Sequence, residues 1–127
     1  MAVNILVVDD SAVMRSMIKK TIKSSGVEIG EIYEAANGKE GLEVLEDNWL
    51  DILFIDVNMP VMDGMEMLDR VRSKSDTCDI PILIVSTESN SERIEIIQKK
   101  NAGFVHKPFT PEVLRERILE ALGVLEN

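Results

Sequence analysis

Five short stretches of strand character alternate with five segments of helical period along this chain. Residues 5–8, ILVV, are a continuous apolar run, and residues 51–55 and 81–85 are nearly as apolar. Residues 29–35 read as a weaker strand and residues 104–106 as a short one. After the first run, Val13, Met14, Met17, Ile18 and Ile22 recur at helical spacing over residues 12–22, and Gly26 stops the pattern. Residues 38–46 read as a helix with Leu42 and Leu45 inward. A third helix follows Gly64 and carries Met65, Leu68, Val71 and Arg72. A fourth, over residues 92–100, places Ile94 and Ile97 in the core, and residues 111–122 form the last, with Pro111 suited to its first turn. Strands this apolar have no face to give to water, so helices must cover both sides. The alternation therefore predicts an α/β domain built on a parallel sheet.

In such sheets ligands gather at the carboxyl ends of the strands. The first strand ends in Asp9-Asp10, the third in Asp56, the fourth in Ser86-Thr87 and the fifth in Lys107-Pro108. Taken singly, each has a plain reading: Asp56, Asp10 or Ser11 as a helix cap, Lys107 as a solvated charge. Taken together they bring three carboxylates, a hydroxyl and an ammonium to one edge. Carboxylates at close range repel one another, and a divalent cation relieves that repulsion. Mg2+ takes oxygen ligands and suits Asp9, Asp10 and Asp56, with a backbone carbonyl as a further donor. A carboxylate beside such an ion can act as a nucleophile toward phosphorus. The transferred phosphoryl group then needs positive charge on more than one side, which Lys107 can supply, while Ser86 can donate a hydrogen bond.

Composition narrows the alternatives. The 127 residues suit one domain spanning 1–127, with no internal repeat, low-complexity tract or linker. No apolar run approaches the roughly 20 residues of a membrane span, and the start, MAVNILVVDD, lacks the basic segment of a signal peptide. A cytoplasmic protein without membrane insertion is expected. Cys78 is the only cysteine, so no internal disulfide can form, and His106, the only histidine, is a poor base for a catalytic thiol. The net charge of −9 argues against nucleic acid as a partner.

Four segments carry a specific resemblance: VVDDS at 7–11, FIDVNMPVMDG at 54–64, VSTE at 85–88 and VHKPFTP at 105–111. In this order and at these separations the sequence resembles response-regulator receiver domains, and most of all their single-domain chemotaxis members, over essentially its whole length. The resemblance implies a flavodoxin-like (βα)5 doubly wound fold with strand order 2-1-3-4-5. It implies a two-component signalling protein rather than an enzyme, a phosphoacceptor that assists its own phosphorylation and autodephosphorylation. Asp56 would accept the phosphoryl group. Asp9, Asp10, Asp56 and the backbone carbonyl of Asn58 would hold Mg2+. Lys107, Ser86 and Thr87 would lie at the phosphoryl group, Ser86 and Phe104 would form the switch, and Asn58, Thr87 and Glu88 would modulate hydrolysis. The resemblance also implies a cis Lys107-Pro108 bond. A histidine kinase would be the donor and a flagellar motor switch protein or another protein the target, with a phosphatase as a further partner. A single receiver domain without an output domain is the expected organisation.

Several positions depart from the family pattern. Thr87 stands where Ala or Gly is usual, and its β-branched side chain should narrow access to the phosphoryl group. Lys99-Lys100-Asn101 stands near a usual Ala-Gly-Ala, and the stretch from Ser86 to Lys107 is about a residue short. Asn101 could take a left-handed cap there. Phe104 replaces a tyrosine seen in many chemotaxis members. His106 reads as an outward strand-end residue, Trp49 as a packing residue, and the methionines near residues 59–67 as helix packing. Two other functions compete. A phosphorelay intermediate would pass its phosphoryl group to a histidine phosphotransfer domain. A Mg2+-dependent phosphatase with an aspartyl nucleophile usually carries Asp-x-Asp, whereas the second position here is Asn58. A flavin-binding module is weaker, because Asp9, Asp10 and Ser11 occupy the place of a phosphate-cradling loop.

Overall fold

A computed structural model describes residues 2–87 and 89–123. Ten elements alternate along the chain: β1 (Val3–Val8), α1 (Ala12–Ser24), β2 (Ile29–Ala35), α2 (Gly38–Asp47), β3 (Ile52–Asp56), α3 (Gly64–Ser73), β4 (Ile82–Ser86), α4 (Ser91–Lys99), β5 (Ala102–His106) and α5 (Pro111–Ala121). The strands form one sheet in the order β2-β1-β3-β4-β5, and every pairing is parallel.

Alternate side chains of a strand face opposite ways, so the apolar runs feed two cores. Leu6, Val8, Leu53, Ile55, Ile82 and Ile84 pack with Met67, Leu68 and Val71 of α3 and Ile97 of α4. Leu42, Val44 and Leu45 of α2 lie partly buried against that cluster. Ile5, Val7, Ile52, Phe54, Leu83 and Val85 pack on the other face with Ile18 and Ile22 of α1 and Leu114 and Ile118 of α5. Each such side chain contributes roughly 1.5–3 kcal/mol by leaving water, which is why β3 and β4 carry no polar residue before their last position and β1 none after Asn4.

Every helix begins on a polar cap. Ser11, Asn37, Asp63, Asn90 and Thr110 accept hydrogen bonds from the free N–H groups of α1 to α5. Asp63, not Asp56, caps α3. Pro111 sits in the first turn of α5. At the end of α4, Lys100 is the cap and Asn101 takes a left-handed backbone with φ 59°, the geometry that the short Lys99-Lys100-Asn101 stretch calls for.

Val13, Met17 and Trp49 differ from their expected places, and Ile94, also expected in the core, is only partly buried. The helical spacing of α1 assigns Val13 and Met17 to the core, yet they are 73% and 55% exposed, and Met14, Ile18 and Ile22 supply the inner face. The apolar residues of α1 span more of its circumference than one neighbouring face can cover. Trp49, expected to pack, is 80% exposed. Leu50, only 5% exposed, takes the inward place before β3, and the indole Nε1 of Trp49 instead donates to Asp51 Oδ1 at 3.3 Å.

One polar anchor was not expected. The guanidinium of Arg72, in the last turn of α3, donates to four backbone carbonyls: Cys78 at 3.0 Å, Ile80 at 2.8 Å, Lys100 at 2.9 Å and Asn101 at 2.9 Å. Beside it, Lys100 Nζ meets Asp69 Oδ1 at 2.6 Å. Together they tie α3 to the loop before β4 and to the turn before β5.

Candidate functional site: an acidic edge at the strand tips

The parallel sheet delivers the ends of β1, β3, β4 and β5 to one edge. Register sets the details: Val8 pairs with Ile55, Asp56 with Val85 and Ser86 with His106. Asp9 and Asp10 therefore follow β1 beside the tip of β3, where Asp56 ends the strand. Oxygens of Asp9, Asp10 and Asp56 lie within 4.8 Å of one another. Lys107, just past β5, extends Nζ to 3.4 Å from Asp56 Oδ1 and 3.7 Å from Asp9 Oδ2. Its backbone N–H donates to Ser86 O at 2.9 Å, which fastens the end of β5 to that of β4, and the Lys107-Pro108 bond is cis.

The three carboxylates are not equivalent. Asp10 is exposed, while Asp9 is 2% exposed. Asp9 Oδ1 accepts the Ser11 N–H at 2.9 Å, and the backbone carbonyl of Asp9 accepts from Arg15 Nη1 at 2.6 Å. Asp9 Oδ2 is buried and accepts no hydrogen bond, the one such side-chain atom among the described residues. A buried carboxylate oxygen without a donor is costly. Lys107 lies near it, but at a distance longer than a hydrogen bond. A cation held by the three carboxylates would satisfy it, so these residues fit a hard divalent ion with oxygen ligands.

Burial pushes the Asp56 carboxyl above its ordinary range. The charge and hydrogen bond of Lys107 oppose that shift, while the charges of Asp9 and, less strongly, Asp10 add to it. A carboxylate raised in this way is poorly solvated, and it would gain from a neighbouring cation.

Ser86 is 4% exposed at the end of β4, whereas Thr87 beyond it and Asn58 beyond β3 are exposed. Glu88 lies outside the described residues. Ile84 pairs with Phe104, so strand alternation puts Ser86 and Phe104 on the same sheet face, beneath α4. Phe104 is partly buried there, against the core cluster that holds Ile84 and Ile97. His106 is exposed, with its ring centroid 6.2 Å from that of Phe104.

The acidic trio, Lys107 and Ser86 were all legible as strand-end polar residues. Arg72 was not, since its four acceptors are backbone carbonyls that come together only in the folded chain. Gly64, at the start of α3, was part of the quoted motif, but its steric role was not visible. A Cβ there would collide with the backbone carbonyl oxygen of Asp56.

Comparison with known proteins gives concordant matches. The sequence profile of the family described as "Response regulator receiver domain" matches residues 5–119. The chemotaxis protein CheY1 of Helicobacter pylori is 41% identical over 123 residues, covering 94% of this chain and 96% of that protein. A chemotaxis protein CheY homolog of Campylobacter jejuni is 39% identical over 123 residues, covering 94% and 92%. Among solved structures, the chemotaxis response regulator CheY4 of Vibrio cholerae superimposes with a TM-score of 0.84 at 35% identity, over 96% of this chain and all of that one. A putative response regulator from Chloroflexus aurantiacus gives a TM-score of 0.87 at 28% identity, over 97% and 99%.

Proposed function

This chain belongs to the response regulator receiver domain family, and on that premise we propose that it is a chemotaxis signalling switch thrown by phosphorylation of Asp56. The observation that carries the reading is the meeting of Asp9, Asp10 and Asp56 with Lys107 at one sheet edge, around a buried Asp9 oxygen that accepts no hydrogen bond.

The step is a phosphoryl transfer. An Asp56 carboxylate oxygen forms a bond to phosphorus as the bond from phosphorus to the donor breaks, and the donor keeps that electron pair. With a histidine kinase as donor, the broken bond is phosphorus–nitrogen. Lys107 Nζ already stands at hydrogen-bond range of Asp56 Oδ1 and can follow the charge onto a phosphoryl oxygen. Asp9, Asp10, Asp56 and the backbone carbonyl of Asn58 would hold Mg2+, which would supply a second positive charge to the transferring group. Transfer moves charge off the half-buried Asp56 carboxyl and onto the phosphoryl oxygens, where Lys107 and the metal ion would meet it.

The switch would run through Ser86 and Phe104. A phosphoryl group on Asp56 offers acceptor oxygens to the Ser86 hydroxyl at the next strand end. Movement of Ser86 would vacate space on the face it shares with Phe104, and the partly buried ring would follow inward. The surface around α4 and β5 would change, and with it the affinity for a protein target, here a flagellar motor switch protein. Asn58, Thr87 and Glu88 would set how long the phosphoryl group lasts, with a phosphatase as a further partner.

Intact mass after treatment with a small phosphodonor and Mg2+ tests the core of this reading. Wild type should gain one phosphoryl group and Asp56→Ala none. Equal modification of both would remove Asp56 as the acceptor.

A further inference from the structure

At the opposite edge of the sheet, where the strands begin, a surface groove separates the end of α2 from the loop before β4. It opens as a hollow of about 390 Å3 whose apolar lining is Leu45, Leu50 and Ile80, with Trp49 at its rim. It runs on along α2 into a second hollow of about 220 Å3, and the two share Leu45, Glu46, Asp76 and Thr77. The charge of the groove is one-sided. Glu46, Asp47 and Asp76 line it, against the single ammonium of Lys74 at the far end.

Trp49 is not a side chain left loose. Its Nε1 donates to Asp51 Oδ1 at 3.3 Å, while Asp51 Oδ2 accepts the Asn4 N–H at 2.8 Å. The ring is thus tied through a carboxylate to the backbone of β1, yet it remains 80% exposed. A tethered indole loses little conformational freedom when a ligand covers it, and its face attracts cations. Nothing in the phosphorylation chemistry uses this edge.

We propose that this groove docks a segment of a partner protein that carries lysine or arginine beside an apolar side chain. The apolar side chain would enter between Leu45, Leu50 and Ile80. The cation would lie over Trp49, flanked by Asp47 and Asp76. Charge complementarity selects this occupant: an acidic segment would meet three carboxylates, and a neutral one would leave them unpaired as the rim loses water.

The test uses the full chain, with Trp49, its only tryptophan, as the reporter. The probes are a capped heptapeptide of leucine and lysine, the same peptide with glutamate for lysine, and the same with serine for lysine. The lysine peptide alone should change Trp49 emission saturably and shift amide resonances confined to residues 42–50 and 74–80. Its affinity should fall ~5-fold or more in Asp47→Asn/Asp76→Asn and ~10-fold or more in Trp49→Ser, the latter read by amide shifts. Asp56→Asn should bind it unchanged, which separates the groove from the acidic edge. The proposal is overturned by non-saturable binding, by equal affinity in the charge variant, or by shifts centred on Asp9, Asp10 and Asp56. It is also overturned by concentration-dependent self-association that Trp49→Ser abolishes, which would make the occupant a second copy of this chain.

Discussion

The backbone carbonyl oxygen of Asp56 occupies the position that a side chain on Gly64 would need. The Gly64 N–H also donates to Val57 O at 2.9 Å, and Asp63 caps α3 one residue earlier. The loop after β3 is therefore folded back hard against the strand tip. The Asp-Gly pair closes it: the acid starts the helix and the missing side chain lets the helix start touch the strand.

Gly64→Ala should destabilise the fold by about 1–3 kcal/mol, the usual cost of forcing a methyl group into a filled space. It should also slow phosphorylation, since relief of the clash would shift Asp56 from its place 3.4 Å from Lys107 Nζ. Urea unfolding and the rate of phosphoryl incorporation measure both effects. An unchanged midpoint would show that the loop yields freely.

Mg2+ should stabilise the protein, because the unfolded chain does not hold three carboxylates together. At 100 times its dissociation constant the ion adds about 2.7 kcal/mol to stability. Asp9→Ala/Asp10→Ala should abolish that gain. Equal rises in melting temperature for wild type and double variant would rule out a metal site at these residues.

The raised pKa of Asp56 makes a signed prediction for pH. Above its folded-state pKa the carboxyl is ionised in both states, and burial of that charge weakens the fold. Below the ordinary value of 3.8 it is protonated in both states and the penalty is absent. The penalty therefore disappears as pH falls from the folded-state pKa toward 3.8. In metal-free buffer, Asp56→Asn should be more stable than wild type at pH 7, and the difference should shrink on acidification. Urea midpoints for both proteins from pH 7 to pH 4 decide it. A difference that grows with acid would mean that attraction to Lys107 outweighs burial.

Thr87→Ala should speed loss of the phosphoryl group from Asp56 by ~3- to 10-fold, or roughly 0.7–1.4 kcal/mol of barrier. A hydrolytic water must enter in line with the bond it breaks, and the β-branched side chain of Thr87, proposed to lie at the phosphoryl group, would obstruct that approach. Loss of phosphate in excess Mg2+, followed after the donor is removed, gives the rate. An unchanged or slower rate would take Thr87 out of the control of signal lifetime and leave Asp56 unaffected.

Much of this architecture is legible in the sequence because buried parallel strands read the same way in one dimension as in three. Ile52, Leu53, Phe54 and Ile55 are apolar since helices cover both faces of β3, and Asp56 stands out because it breaks that rule at the tip. Asn101 was legible for a local reason, a left-handed turn that few residues accept. Val13, Met17 and Trp49 misled because hydrophobicity says that a side chain favours burial, not that a neighbour exists to bury it. Arg72 gave no signal, since one arginine in a helix looks like any solvated charge until the loops around it are placed.

Those four hydrogen bonds from Arg72 also bear on how the molecule comes apart. Nη1 holds residues 78–80 while Nε and Nη2 hold residues 100–101, so a loop that peels away strands donors on the same guanidinium that anchors the other loop. The two loops should exchange their amide hydrogens as one cooperative unit, although some 20 residues separate them in the chain. Fraying at the start of β4 would thus be felt at the start of β5, and one side chain sets the boundary between what opens alone and what opens only together.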